Sequence, residues 1–246
     1  SRCLLVPCPT NDTWCRDYGP LALQSPCGVR GIVDFTFNAW GGKFGATLDN
    51  QVVRHLVADK LFAPEVASLD ALDWTFEGGA LECNGEGFLL TTKSCVEDPH
   101  RNAHLYESPH IYKELLARLG LTDYCSLEVA PLPGDDTDGH IDTIARFVDP
   151  DTIIYVSPSD PTAQSFAALA ELERQLQELA SQRPNLRLIA LPDVGDYPSR
   201  YEADCLIPAT YANFLLVNGA LLLPIYGRST DSEAQRILQQ ALPHLE

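Results

Sequence analysis

The sequence predicts an α/β chain assembled from recurring hairpin-plus-helix modules. Three observations predict it. Two Asn-Gly dipeptides, Asn84-Gly85 and Asn218-Gly219, each separate two short apolar runs. A third pair of runs is separated by Asp149-Pro150-Asp151. A segment with apolar residues at helical spacing follows each of the three.

The elements can be justified in chain order. An early helix is predicted over 49–61. Asn84-Gly85 joins strands at 79–83 and 87–91, because both turn residues of a type I′ hairpin need positive φ and this dipeptide supplies it. Ser108 then serves as N-cap with Pro109 behind it. Ile111, Leu115 and Leu119 recur at helical spacing up to Gly120, a C-terminal cap. A strand follows at 124–130. The turn at Asp149-Pro150-Asp151 joins 143–148 to 152–156. The next helix, 162–183, carries Phe166, Leu169, Leu172, Leu176 and Leu179 on one stripe, with Glu and Gln opposite. A strand at 186–191 follows. The Asn218-Gly219 turn joins 214–217 to 220–224, and a helix over 231–242 carries Ala234, Ile237, Leu238 and Ala241. No low-complexity linker interrupts the series, which predicts one architecture of 1–246 rather than separate domains. The loop 193–204, rich in Pro, Asp and Tyr, is long enough to be functional.

Composition narrows the partners. The 246 residues carry a net charge of −17, from 34 acidic and 17 basic side chains. A phosphate-binding surface is cationic, so nucleic acid is excluded as a partner. The charge fits long-range steering of a small cation, and equally an ordinary acidic surface. No apolar run approaches the roughly 18 residues of a membrane helix, and no signal peptide is visible, so no membrane partner is expected. The eight cysteines include no CxxC pair, which argues against structural zinc. Cys3, Cys8 and Cys125 lie in apolar runs, where a free thiol behaves as a small hydrophobe. Reduced thiols and a cytoplasmic protein are predicted.

Three segments are too specific for scaffold: Asn11-Asp12-Thr13-Trp14-Cys15-Arg16-Asp17-Tyr18-Gly19-Pro20, Phe76-Glu77-Gly78-Gly79, and Gly134-Asp135-Asp136-Thr137-Asp138-Gly139-His140-Ile141-Asp142. The last fails as a calcium loop, because Gly134 and Ala145 stand where acids are required. What remains is His140 and Asp142, two apart and so on one face of an expected strand. An imidazole beside a carboxylate suits acid/base work near neutral pH. A solvated acidic turn accounts for Asp135, Asp136 and Asp138.

At this point a family resemblance is visible. Besides the segments at 11–20 and Glu77-Gly78-Gly79, the chain holds Trp40-Gly41-Gly42-Lys43-Phe44, Leu90-Thr91-Thr92 with Asn102 after it, Asp138-Gly139-His140-Ile141-Asp142 and Pro208-Ala209-Thr210-Tyr211-Ala212-Asn213-Phe214. In this order they resemble the agmatine deiminase and Porphyromonas-type peptidyl-arginine deiminase family. The resemblance implies a pentein fold, a pseudo-fivefold α/β propeller of ββαβ modules. It also implies a mechanism without cofactor or metal. A cysteine thiolate attacks the guanidinium carbon, ammonia leaves, and water hydrolyses the S-alkylthiouronium intermediate to a ureido product.

By match to the family motifs, Asp17 and Asp142 are the carboxylates that grip the planar guanidinium. Trp14 is a pocket wall, with core packing as its alternative. His140 is the general acid/base, Glu77 the carboxylate that orients it, and Asn213 a further polar contact. The expected substrate is a small guanidino cation, agmatine, converted to N-carbamoylputrescine. A homo-oligomer is compatible with all of this. The alternatives are a peptidyl-arginine deiminase, an amidinotransferase or dimethylarginine hydrolase on the same fold, and a guanidine-binding protein without catalysis. The family's nucleophile sits near its C-terminus in a Gly-Gly-x-x-x-His-Cys type motif, and no cysteine here matches it. With Ser1 first and no methionine, the sequence is expected to be the larger part of a catalytic domain, lacking N-terminal and C-terminal segments and with little activity by itself.

Overall fold

The structure, a computed structural model, describes residues 4–105, 108–202, 204–217 and 219–245. Among these residues lie four small sheets. The first comprises β1 (Leu21–Gln24), β2 (Arg30–Thr36) and β3 (Ala67–Thr75). The second comprises β4 (Leu81–Cys83), β5 (Phe88–Thr92) and β6 (Asp123–Leu127). The third comprises β7 (Ala145–Asp149), β8 (Thr152–Val156) and β9 (Arg187–Leu191). The fourth is the hairpin β10 (Leu215–Val217) with β11 (Ala220–Leu222). In the first three, an antiparallel hairpin gains a strand parallel to its second member. A helix intervenes in chain order each time: α1 (Val52–Ala58), α2 (Ile111–Leu119) and α3 (Phe166–Gln182). Helix α4 (Asp231–Ala241) follows β11. The order hairpin, helix, strand is the one the turn signals predict.

The β1–β2 hairpin is one that those signals miss. Its loop is closed by Ser25 and Val29 through a backbone bond of 2.8 Å, with Gly28 at φ 84°. No Asn-Gly announces it. Two further details differ from expectation. The Asn84 loop leaves five residues, 84–88, between the partners Cys83 and Leu89. Asn84 Oδ1 accepts from the amides of Glu86 and Phe88, making a side-chain turn rather than a two-residue type I′ turn. The early helix opens as a 3-10 turn, Asp49–Gln51, and ends at Ala58. The Pro150-Asp151 turn joins β7 to β8 near the expected place, but Asp149 belongs to the strand and stands opposite Thr152, so two residues rather than three make the turn, and the register shifts between Phe147 and Asp149. Val217 stands opposite Ala220, as a two-residue turn requires. Asn218 itself lies outside the described residues, as does Cys3.

The chain divides into two compact units, residues 1–79 with 96–119, and residues 80–95 with 120–246. The first has a core of Tyr18, Phe37, Trp40 and Val52. In the same unit Trp74 stacks on Phe76, which meets the edge of Phe35. The second unit is organised on β8, all five of whose residues are buried. Successive strand residues point to opposite faces. Ile153 and Tyr155 therefore join Leu169, Leu172 and Leu176 of α3, while Ile154 joins Ala234 and Leu238 of α4. A strand covered on both faces reads as an unbroken apolar run, as Ile153-Ile154-Tyr155-Val156 does. Each fully buried leucine of the α3 stripe contributes roughly 1.5–3 kcal/mol. Among the described residues, no helix is long and apolar enough to cross a membrane.

Candidate active site

The functional side chains of the first unit start from the segment at 11–20. Asp49, fully buried, fastens it by accepting the amides of Asn11 at 2.7 Å and Asp12 at 3.2 Å. Asn11 returns the contact, accepting the Leu48 amide at 2.7 Å. The chain then makes one helical turn, Cys15–Tyr18, and this turn carries Asp17. The Asp17 carboxylate is buried. Its Oδ1 accepts from the Gly79 amide and its Oδ2 from Trp40 Nε1, both at 3.0 Å. A Cβ on the neighbouring Gly78 would overlap the Arg16 carbonyl, so only glycine permits this close approach. Trp14 is 66% exposed, which overturns the core-packing alternative for it. Its amide donates to Asp12 Oδ1 at the start of the turn.

Glu77 is held just as firmly. It is fully buried, and both of its oxygens lie 2.9 Å from Arg101 Nε. Arg101 also pairs with Asp98. The side chain of Asn102 brackets Thr75, accepting from its amide at 2.9 Å and donating to its carbonyl at 2.8 Å, and so fixes the strand end that leads to Glu77. Between these two carboxylates in sequence stands an unusual turn. Ala39, Trp40, Gly41 and Gly42 have φ of 54°, 55°, 84° and 83°, a run of left-handed backbone. For the two non-glycine residues this costs roughly 1–2 kcal/mol each.

In the second unit the structure corrects one expectation. His140 and Asp142 do not share a strand face. Ile141–Thr143 form a single 3-10 turn, and β7 begins only at Ala145. With about three residues per turn, residues two apart diverge. Both side chains are nevertheless buried, at 2% and 4% exposure. The turn is set by its approach: Asp138 and Gly139 are left-handed, with φ of 69° and 93°. Thr92 Oγ1 donates to the Gly139 carbonyl at 2.7 Å, and the His140 amide donates to Thr137 Oγ1 at 3.1 Å. Thr143 Oγ1 closes the turn on the His140 carbonyl at 2.7 Å. Thr210 Oγ1 donates to the Thr143 carbonyl, which ties the segment bearing Asn213 to this turn. Asn213 is half-buried between the buried Ala212 and Phe214. Arg146 donates to the Phe214 carbonyl at 2.9 Å and pairs with Glu82 at 2.7 Å. Burial pushes the Glu82 carboxyl up, against the lowering effect of Arg146.

Among the described residues no disulfide joins two cysteines. Burial pushes the Cys125 thiol up. Crowding around the Cys83 thiol and the charge of Glu82 push it up to about 12. Cys205 is raised first by its hydrogen bond to Glu202. Cys27, on the exposed β1–β2 loop, is lowered by the Ser25 hydroxyl and by the Val29 amide. Thiolate is the reactive form. At pH 7.5, Cys27 is therefore expected to alkylate with iodoacetamide faster than Cys83, Cys125 and Cys205, with the gap narrowing as pH rises. Time-resolved peptide mass spectrometry checks this, and a faster Cys83 would contradict it.

These motifs lie along the chain in the order the resemblance requires, and the profile of the Porphyromonas-type peptidyl-arginine deiminase family matches residues 3–246. The chain belongs to that family. Among solved structures similar to this chain, a Porphyromonas gingivalis protein described as a candidate arginine deiminase is 44% identical, with a TM-score of 0.90 over 98% of this chain and 70% of its own. The agmatine deiminase of C. jejuni, solved with substrate bound, is 35% identical, with a TM-score of 0.82 over 97% of this chain and 68% of its own. The agmatine deiminase of Stutzerimonas stutzeri is 28% identical over 98% of this chain and 70% of the relative.

Within the family frame, Asp17, Glu77 and Trp14 belong to the first unit, and His140, Asp142 and Asn213 to the second. Sequence reasoning quoted Trp40 as a motif residue without giving it a task, and it missed Arg101 and Asp98 entirely. The spacing Asp98-x-x-Arg101 was the available signal. It joins an acid and a base one turn apart, immediately before a motif asparagine.

Proposed function

We propose that this protein is a guanidino-group hydrolase that converts agmatine to N-carbamoylputrescine with release of ammonia. The observation that carries the reading is the match of the deiminase family along 3–246, with substrate-bound agmatine deiminase among the structural relatives. The chemistry of the buried side chains supports it. A guanidinium is a planar, forked donor, and carboxylates bind it by charge-assisted hydrogen bonds. Asp17 and Asp142 are buried carboxylates of the matching motifs. His140 is the general acid/base that protonates departing ammonia and activates water. Glu77, the carboxylate the resemblance assigns to orienting that acid/base, is held in place by its ion pair with Arg101. Trp14 offers an exposed aromatic face to a cation, and Asn213 a polar contact. A net charge of −17 favours encounter with a cationic substrate.

In the same reading the modules are blades of a five-bladed α/β propeller, the pentein fold, and residues 1–246 belong to one catalytic domain acting in the cytoplasm. The repeated order of hairpin, helix and parallel strand supports the propeller. The family's name favours a second substrate, peptidyl arginine. Ureido-product formation by the full-length gene product tests both, with agmatine and an arginine peptide offered in parallel. Product from agmatine is expected. Product from the peptide alone would transfer the reading to peptidyl arginine, and ammonia from neither would sink it. Transfer of the amidino group to added glycine would instead identify an amidinotransferase.

A further inference from the structure

The left-handed turn at Ala39–Gly42 needs a reason, because backbone of this kind persists only where its surroundings impose it. Asn38 imposes it from one end. Its Oδ1 accepts the Gly41 amide at 2.9 Å, its carbonyl accepts the Gly42 amide at 2.8 Å, and its Nδ2 donates to the His100 carbonyl at 2.8 Å. A side chain on Gly41 would press on Asp98 and touch Arg101, so the turn lies close against that pair. The outcome of these constraints is the position of one ring. Trp40 is buried edge-on to Phe37, with centroids 5.2 Å apart, and to Phe44, at 5.9 Å. Its indole N–H then meets Asp17 Oδ2, while the Gly79 amide meets Oδ1.

One donor on each oxygen fixes the plane of a carboxylate. A bidentate guanidinium contact requires that plane to be set before the cation arrives. We propose that Trp40 is a positioning residue that, locked in the left-handed turn, orients the Asp17 carboxylate for a planar guanidinium cation. The proposal rests on the reading of Asp17 as a guanidinium-binding carboxylate. An indole presents a single donor in a fixed direction, so the turn acts as a brace rather than as part of the pocket. Trp40 itself touches no reacting atom in this scheme.

The test is Trp40→Phe in the full-length protein, which keeps an aromatic ring and removes the N–H. Phe44→Leu is its companion, loosening the packing while keeping the N–H. With agmatine, Trp40→Phe is expected to raise KM about tenfold, with kcat changed less, as loss of a charge-assisted hydrogen bond predicts. The acidic limb of its kcat/KM profile should move to higher pH, because a donor to a carboxylate favours the charged form. Phe44→Leu should leave KM within about twofold, in the range of an ordinary surface-side substitution. A direct readout needs no turnover: the 13C titration of the Asp17 carboxyl, assigned with Asp17→Asn, should move upward in Trp40→Phe. An unmoved Asp17 titration in a folded Trp40→Phe protein would overturn the brace. Equal KM changes in both variants, tracking a common fall in Tm, would also overturn it and leave a packing role. If the wild type releases no ammonia from either substrate, the functional reading fails by itself, and the Asp17 titration still decides the brace.

Discussion

Replacing Arg101 with methionine is expected to destabilise the protein by about 3–5 kcal/mol, the usual consequence of breaking a buried ion pair from one side. Both Arg101 and Glu77 have side chains with no solvent exposure, and Arg101 Nε lies 2.9 Å from each Glu77 oxygen. Methionine fills similar volume but leaves the Glu77 carboxylate without its guanidinium partner in a medium that solvates charge poorly. For a chain of this size the loss corresponds to a fall in Tm of roughly 10 °C. Glu77→Gln in the same background removes the stranded charge, so the double variant Arg101→Met/Glu77→Gln should recover more than half of the lost stability. A double-mutant cycle by urea denaturation measures the coupling. A loss under about 1 kcal/mol in Arg101→Met would mean that the pair is solvated or replaceable, and that Glu77 owes its position to something else. Arg101→Lys is expected to fall between, since a point charge cannot reproduce the fork.

Replacing His140 with asparagine is expected to lower kcat on agmatine by about a hundred- to ten-thousandfold, the usual share of a general acid/base. The expected fall in stability is small by comparison. The backbone at this position is held by groups other than the imidazole: Thr137 Oγ1 takes its amide, Thr143 Oγ1 its carbonyl, and Thr92 Oγ1 the carbonyl before it. The ring can therefore be exchanged while the turn that carries Asp142 keeps its shape. Steady-state kinetics beside a thermal melt separate the two effects. A variant that retains a third or more of wild-type kcat would remove His140 from the chemistry. A variant that loses activity in proportion to its folded fraction would make the residue structural.

The two variants probe residues of different legibility. His140 stands in a motif, Asp138-Gly139-His140-Ile141-Asp142, whose residue types announce chemistry before any fold is known. Its setting is less legible: period two predicts a strand, whereas Asp138 and Gly139 turn the chain into a 3-10 turn. Arg101 announces nothing. A single arginine after a histidine is ordinary in sequence, and only burial turns it into the partner of Glu77.

The sequence by itself determined the module order. Its turns are local, and its apolar periods are read over ten to twenty residues. Pro150-Asp151 and the α3 stripe Leu169, Leu172, Leu176 and Leu179 follow from chemistry confined to their own segments. It also determined which carboxylates and which imidazole to suspect, because motif spacing is a property of the chain. Tertiary structure alone decided how those groups are held. Asp17 meets Trp40 across 23 positions and Gly79 across 62, and Glu77 meets Arg101 across 24. No periodicity spans such separations. A hydrogen bond or ion pair between distant residues exists only once packing has brought them together and removed the water that would otherwise compete for them.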